Sequence, residues 1–545
     1  MAQDARRIRV LILGGGHAGV HAARHLLKAR RSGDRLDVTL VDYQNAEVFH
    51  GLMPQMVSGA VQPQHALLPL RQLLPGATIY TYEVERIDLP NRRVLLGRGD
   101  ERSQLTLEYD YLVLALGSVT DVSRFPGLLE HGLQTKTVGD IFHLRNHLLD
   151  VLERASIEQD PEERRRLLTF VVAGTGFAGV EIGAQANALV RGALRYFPGI
   201  AAGEIRFVLL GTASRLLPAL NEGLARRAAR HLERCGVELR LNTGLASATA
   251  ATATLTTGEQ IPTRTLIVTV GIGTHPLVAG LPVELTRGRI ACDQFCRVLD
   301  WPRVYAIGDN AAIPDLKTGQ PYPATALLAF AEGEQAAANI LAEIRGRRLR
   351  PCRAEDVAAA LLTKGYALAE IKGIQLEGLP AALIWRLVFL ALIKPWDRRL
   401  ALTAGWLIDA LAPRDIAQLR VSRSDTIVPM RFAAGEVIVH QGEPGSRFYI
   451  VTEGEVEVVR ETPDGETPLA RLGPGQYFGE IALLRDTERT ATVRAAVDTR
   501  VLSIARQDFS TLVQHFGVLR DSLSAGAASQ PPAIRPREGA AVHDE

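Results

Sequence analysis

From Ile8 to Gly19 the chain reads IRVLILGGGHAG, an apolar run that breaks into glycines and resumes as a helix-forming stretch. A run this apolar fits a strand buried on both faces of a parallel sheet. Gly14, Gly16 and Gly19 then stand at G-x-G-x-x-G spacing. The first glycine permits a tight turn, the second lets backbone approach a pyrophosphate, and the third lets the helix that opens at His17 and Ala18 pack on the strand. The phosphate rests on the positive end of that helix. About twenty residues further on, the segment DVTLVD ends in Asp42, placed to accept ribose hydroxyls. Strand, loop, helix, strand and terminal acid make a dinucleotide-binding unit and set the fold class as α/β.

The same order recurs at Thr169 to Val180, TFVVAGTGFAGV, with Gly174, Gly176 and Gly179 in the glycine positions. Two such folds imply two dinucleotides. The next strand, in IRFVLLGTASRLLP, ends at Gly211 where a ribose-binding acid is expected. Without a carboxylate to repel a 2′-phosphate, NADPH is admitted beside NADH, and Arg215 is either its cationic partner or a solvated loop arginine.

A chain of 545 residues is long enough for about three or four domains. Its formal net charge of +2 gives no reason to expect a nucleic-acid partner. The cysteines Cys235, Cys292, Cys296 and Cys352 form no C-x-x-C and lack ligand partners at zinc spacing, so neither a metal nor a disulfide framework is expected. No cysteine precedes Cys235, which disfavours a redox-disulfide relay beside the first loop. The N-terminus runs straight into the first strand, leaving no signal-peptide pattern. The apolar stretch AALIWRLVFLALI, Ala381 to Ile393, is too short to span a bilayer and is interrupted by Arg386.

Several further segments carry a family likeness. YDYLVLALGS, Tyr109 to Ser118 with Gly117, looks like the strand and turn that return past FAD; VYAIGDNA, Val304 to Ala311 with Gly308 and Asp309, is similar to a second FAD motif; VDYQNAEVFHGLMPQMVSGAV, Val41 to Val61, resembles the segment leading toward the flavin. Together they resemble the type II NADH dehydrogenases, two-dinucleotide-binding flavoproteins that reduce quinone at a membrane surface. The resemblance implies an FAD domain from residues 1–125 and 290–345, an inserted NAD(P) domain at 126–289, and a helical membrane-facing region at 346–412. It also implies that Asp309 bonds the ribitol or pyrophosphate region and that Glu181, in GVE, stands near the nicotinamide and flavin rings. Whether Glu181 orients nicotinamide or assists a proton is open.

Within 346–412, Trp385, Phe389, Trp396 and Trp406 alternate with aliphatic residues, while Arg386, Lys394, Arg398 and Arg399 supply cations. Such helices lie in a membrane surface, apolar face inserted; the alternative burial is a homodimer or domain interface. The resemblance places the protein in the cytoplasm, peripheral on the inner face of the cell membrane, with quinone as acceptor. One departure stands out: family members carry a glutamine-rich pattern facing the quinone, and ATALLAFAEGEQ, Ala324 to Gln335, has Leu327, Ala331 and Glu332 in those places.

After a polar linker at 413–427, period-two alternation punctuated by glycine turns argues a small antiparallel jelly roll over 428–520. It resembles the cyclic nucleotide-binding domain, with FGEIALLRDTERTATV, Phe478 to Val493, as its phosphate cassette. Arg489 can pair with the phosphate, Glu480 can accept the ribose hydroxyl, and backbone amides of Gly479, Glu480, Ile481 and Ala482 face the ligand. Thr490 leaves cGMP open beside cAMP. The tail, 521–545, has a disordered composition. Two rival readings share these motifs: a flavin reductase serving a small iron–sulfur carrier, and a cyclic-nucleotide sensor on an inactive flavoprotein scaffold.

Overall fold

A computed structural model describes residues 7–31, 35–97, 105–353, 357–418, 427–443, 445, 447–462, 465–485, 487–505 and 509. The chain divides into two compact units, Met1–Leu96 with Thr106–Arg420, and Val421–Glu545 with Gly97–Leu105.

The first unit contains two five-stranded sheets. In the first, Ile8–Leu13 lies centrally and pairs in parallel with Leu36–Asp42 on one side and Tyr111–Leu114 on the other. Thr78–Thr81 extends one edge and Val304–Ala306 the other, both parallel. The sheet is therefore completed only after the second has been built. That second sheet runs Gly132–Leu133, Thr265–Val268, Thr169–Ala173, Arg206–Leu210 and Val237–Arg240, again all parallel. Strands such as Thr169–Ala173 are buried at every position, as expected where helices cover both faces.

Helix His17–Arg31 packs against helix Ala326–Ile344. Gly333 makes the close approach possible, because a Cβ there meets the Ala18 carbonyl oxygen at 2.3 Å.

The helical expectation for 346–412 is met only from Gly378 onward. Ahead of it lies a three-stranded antiparallel sheet, Val357–Thr363, Tyr366–Ile371 and Ile374–Glu377. Its second turn is two residues long, Lys372 (φ 50°) and Gly373 (φ 83°), the left-handed pair that closes a twisted hairpin. Helices Gly378–Leu392 and Trp396–Leu411 follow. Among the described residues no helix is long and apolar enough to cross a membrane.

The second unit is a sandwich of two four-stranded antiparallel sheets. One holds Ile427–Phe432, Thr499–Ala505, Arg447–Glu453 and Tyr477–Phe478; the other holds Val437–Val439, Thr492–Ala495, Val456–Thr462 and Gly465–Leu472. Phe432, Val451, Val456, Phe478, Val493 and Val501 fill the core between them. The alternation read from the sequence is the inward and outward pointing of these strands. The tail lies outside the described residues.

Candidate active site

At the first loop Gly14 has φ 111°, and a Cβ there meets the Ala115 carbonyl oxygen at 2.1 Å. A Cβ on Gly19 meets the Gly14 oxygen at 1.9 Å, whereas one on Gly16 meets nothing within 4 Å. The outer glycines are demanded by packing; the middle one keeps a cradle that a side chain would fill. The second loop repeats this, with Gly174 against Thr269, Gly179 against the Gly174 oxygen at 1.9 Å, and Gly176 open. Both cradles fit a pyrophosphate.

Asp42 stands at the end of its strand, accepting the Gly15 amide at 2.6 Å and the Gln44 amide at 2.7 Å. Burial pushes its carboxyl above the usual range, and those two amides oppose the shift. At the matching place in the second sheet a Cβ on Gly211 meets the Thr175 side chain at 2.7 Å. Thr175 thus occupies the space an acid needs. Arg215 is half-buried and donates to the Pro218 carbonyl at 2.9 Å, within its own turn.

The motif Gly308–Asn310 folds back on the first sheet. Gly117 donates to Asn310 Oδ1 at 3.2 Å, and Ser118 donates to Asp309 Oδ2 at 2.9 Å. Lys136 Nζ donates to Ser118 Oγ at 3.0 Å and lies 3.6 Å from Asp309. The sequence reading passed over Lys136. Its one local signal is the capping box that follows: Asp140 accepts the amides of Lys136 and Thr137, and Thr137 caps the helix in return.

Glu332, in a glutamine position of the family pattern, is 2% exposed and accepts the Gly308 amide at 2.6 Å. Burial pushes its carboxyl up to about 8. A carboxyl raised in the folded state stabilises fully below its unfolded value and loses that contribution as pH rises through the folded one. Glu332→Gln keeps the acceptor for Gly308 and has no charge to desolvate. Its melting temperature at pH 8 is expected to exceed that of the parent by roughly 5 °C, with the gap closing by pH 4, as calorimetry can read.

Glu181 lies on helix Phe177–Ala193 and is half-buried. Its Oε1 accepts the Leu361 amide at 2.8 Å, and Gln185 one turn on donates to the Leu362 carbonyl at 3.3 Å. The C-terminal sheet thereby fixes the glutamate. Burial pushes the carboxyl up to about 8, opposed by the Leu361 amide, so near neutral pH it holds a proton.

The two C-terminal helices turn their tryptophans unexpectedly. Trp385 and Trp406 are buried, 2% and 7% exposed, and only Trp396 of the three faces outward. Trp385 stacks on Phe389 at 3.7 Å, Phe389 lies edge-on to Phe49, and Trp406 donates to Gln55 at 2.8 Å. An indole N–H needs an acceptor and finds one inside, whereas leucine does not. The outer face is accordingly aliphatic: Leu379, Leu383 and Leu387 at helical spacing, then Leu400, Leu407 and Leu411, all exposed. Two of the expected headgroup cations brace the fold instead. Arg386 donates to the Lys364 carbonyl at 2.6 Å, and Arg399 donates to the Ile393 carbonyl at 2.5 Å. Lys394 remains exposed.

In the second unit Glu480 and Arg489 are both buried, as are Ile481 and Ala482, and Thr490 is half-buried. Arg489 donates to the carbonyls of Gly479 at 2.9 Å and Arg447 at 2.8 Å. Gly479 has φ 89°, and a Cβ there meets the Arg489 guanidinium at 2.6 Å. Burial pushes Glu480 above the carboxylate range, with Arg489 opposing.

Residues 8–333 match the family model for pyridine nucleotide-disulphide oxidoreductases. The chain belongs to that family. In this oxidoreductase residues 429–516 also match the cyclic nucleotide-binding domain. Demethylphylloquinone reductase NdbB of Synechocystis is 30% identical over 74% of this chain and 96% of its own length. The type II NADH:quinone oxidoreductase Ndh of Mycobacterium tuberculosis is 28% identical over 76% of this chain and 90% of its own. The solved structure of NDH2 from Plasmodium falciparum in complex with NADH covers 76% of this chain and all of its own, with a TM-score of 0.69 at 17% identity, a likeness of fold. The resemblance to type II NADH dehydrogenases, joined to a cyclic nucleotide-binding domain, is met. The disulphide of the family name has no counterpart near the first loop: Cys292, Cys296 and Cys352 are buried free thiols, and Cys235 lies in the second dinucleotide domain. Among the described residues no group of three or more His, Cys, Asp or Glu side chains is arranged to hold a metal ion.

Proposed function

We propose that the chain is a non-proton-pumping, FAD-dependent NADH dehydrogenase that reduces quinone and is adjusted by a cyclic nucleotide. The observation that carries this reading is the joining, in one compact unit, of two glycine cradles with an aliphatic helix pair whose inner face reaches Phe49 and Gln55. Gly14, Gly16, Gly19, Asp42, Gly117, Gly308 and Asp309 would hold FAD, and Gly174, Gly176 and Gly179 the NADH. FAD supplies the two-electron exchange between a nicotinamide and an acceptor. Glu181, carrying its proton below pH 8, donates a hydrogen bond where nicotinamide and flavin meet.

The outward leucines seat the protein on the inner face of the cell membrane, where a lipid-soluble quinone is concentrated. Flotation with anionic vesicles tests this. The double variant Leu383→Asp, Leu400→Asp is expected to stay with the soluble fraction while retaining its flavin; co-flotation equal to the parent argues for a covered homodimer face instead. The initial rate of NADH oxidation with a short-chain quinone tests the activity.

Cyclic nucleotide binding at Glu480 and Arg489 is read by the same assay with and without cAMP or cGMP. Loss of the charge-assisted bond to phosphate in Arg489→Ala is expected to weaken cAMP binding about 100-fold by calorimetry. Arg414 pairs with Asp409 at 2.5 Å, and Arg145 bridges the carbonyls of Val57 and Asp415, so the chain on both sides of Pro413 is fastened to the flavoprotein unit.

A further inference from the structure

Beneath the two C-terminal helices lies a short helix, Met53–Val57, buried at every position. It continues from Phe49 and Gly51, which lie against Phe389; a Cβ on Gly51 would meet the Phe389 ring at 2.2 Å. On its other side it packs against helix Phe177–Ala193, which carries Glu181.

Gln55 on this helix is 3% exposed. Its Oε1 accepts the Trp406 indole N–H at 2.8 Å. Because an indole can only donate, that bond sets which end of the amide is oxygen, and the nitrogen faces the other way. Gln55 Nε2 is buried with no hydrogen-bond partner. A buried donor left unmade is costly, and calls for a partner such as a ligand, a water or an ion.

The family's glutamine positions supply no amide in this chain. Leu327 and Ala331 are apolar where the family pattern has glutamines, and Glu332 accepts the Gly308 amide. We propose that Gln55 Nε2 donates the hydrogen bond that holds a carbonyl oxygen of the quinone, with Trp406 as the positioning residue that sets the amide. This rests on the quinone reading above. The overall reaction, NADH plus a proton plus quinone giving NAD⁺ and quinol, is balanced without Gln55, which orients the acceptor and keeps its own protons.

The full-length, flavin-loaded protein is compared with Gln55→Met and with Gln55→Leu, each of which loses both amide donors without adding a charge or an acid proton. The expected result is a rise of about tenfold in KM for a short-chain quinone. Quenching of tryptophan fluorescence should show a matching loss of affinity for a hydroxyquinoline quinone analogue, while anaerobic bleaching of the flavin band by NADH keeps its rate. Trp406→Phe, which frees the amide without removing it, is expected to raise KM about threefold. Unchanged KM and analogue affinity in whichever Gln55 variant folds, with quinone reduction intact, overturns this inference. Absence of quinone reduction in the parent overturns the quinone reading itself.

Discussion

Gly19→Val is expected to yield protein without flavin, whereas Gly16→Ala should fold normally and lose only affinity for it. The two positions look alike in the sequence and differ in what surrounds them. A Cβ on Gly19 lies 1.9 Å from the Gly14 oxygen, far inside any permitted contact, so the first loop and helix His17–Arg31 must separate. A Cβ on Gly16 meets no atom of the protein within 4 Å. Its cost falls on the ligand alone, because it fills space that a pyrophosphate needs. Absorbance at the flavin band relative to protein, together with the melting temperature, separates these outcomes: Gly16→Ala should keep its melting temperature when both proteins are stripped of flavin, and bind FAD about 100-fold more weakly. A flavin-replete Gly19→Val would show that the close approach at this loop is wrong.

Removing the acid of Glu181 should have an effect of similar size on turnover. Glu181→Gln retains an acceptor for the Leu361 amide and the side-chain shape, and loses only the titrating proton. The parent carboxyl, raised to about 8 by burial, is protonated below that pH and ionised above it. If the protonated form is the active one, the parent rate is highest on the acid side and falls through a midpoint near 8 as pH rises. The glutamine variant should lose about 100-fold in rate at pH 7 and show no inflection. A variant that is slow but keeps the inflection would assign the titration to another group and leave Glu181 a purely orienting role.

Local pattern made much of this molecule legible. The glycine spacings announce both cradles because the outer glycines allow close approaches that no other residue permits and the middle ones leave room for a ligand. Alternation marks the C-terminal sandwich because strand geometry imposes a period of two. The three strands at 357–377 were less visible, since short Ala- and Leu-rich runs carry no periodicity of their own and take strand form through pairing. Lys136 and Gln55 escaped for another reason: Lys136 belongs to no motif, nothing in the Val41–Val61 segment singles out Gln55, and each matters through a partner that is distant in the chain, Asp309 for the first and Trp406 for the second.

The sequence by itself determined the two dinucleotide folds, the missing acid at Gly211, the appended nucleotide domain and the want of the family's glutamines. These are statements about residue type at fixed local spacing, and local backbone geometry suffices to read them. Only the tertiary structure decided which aromatics face inward, why no acid fits beside Thr175, where Glu181 and Glu332 spend their carboxylates, and which amide lies unmatched beneath the C-terminal helices. Those depend on what a side chain meets across elements remote in the chain, and burial, which raises a carboxyl or strands a donor, exists only once the elements have packed.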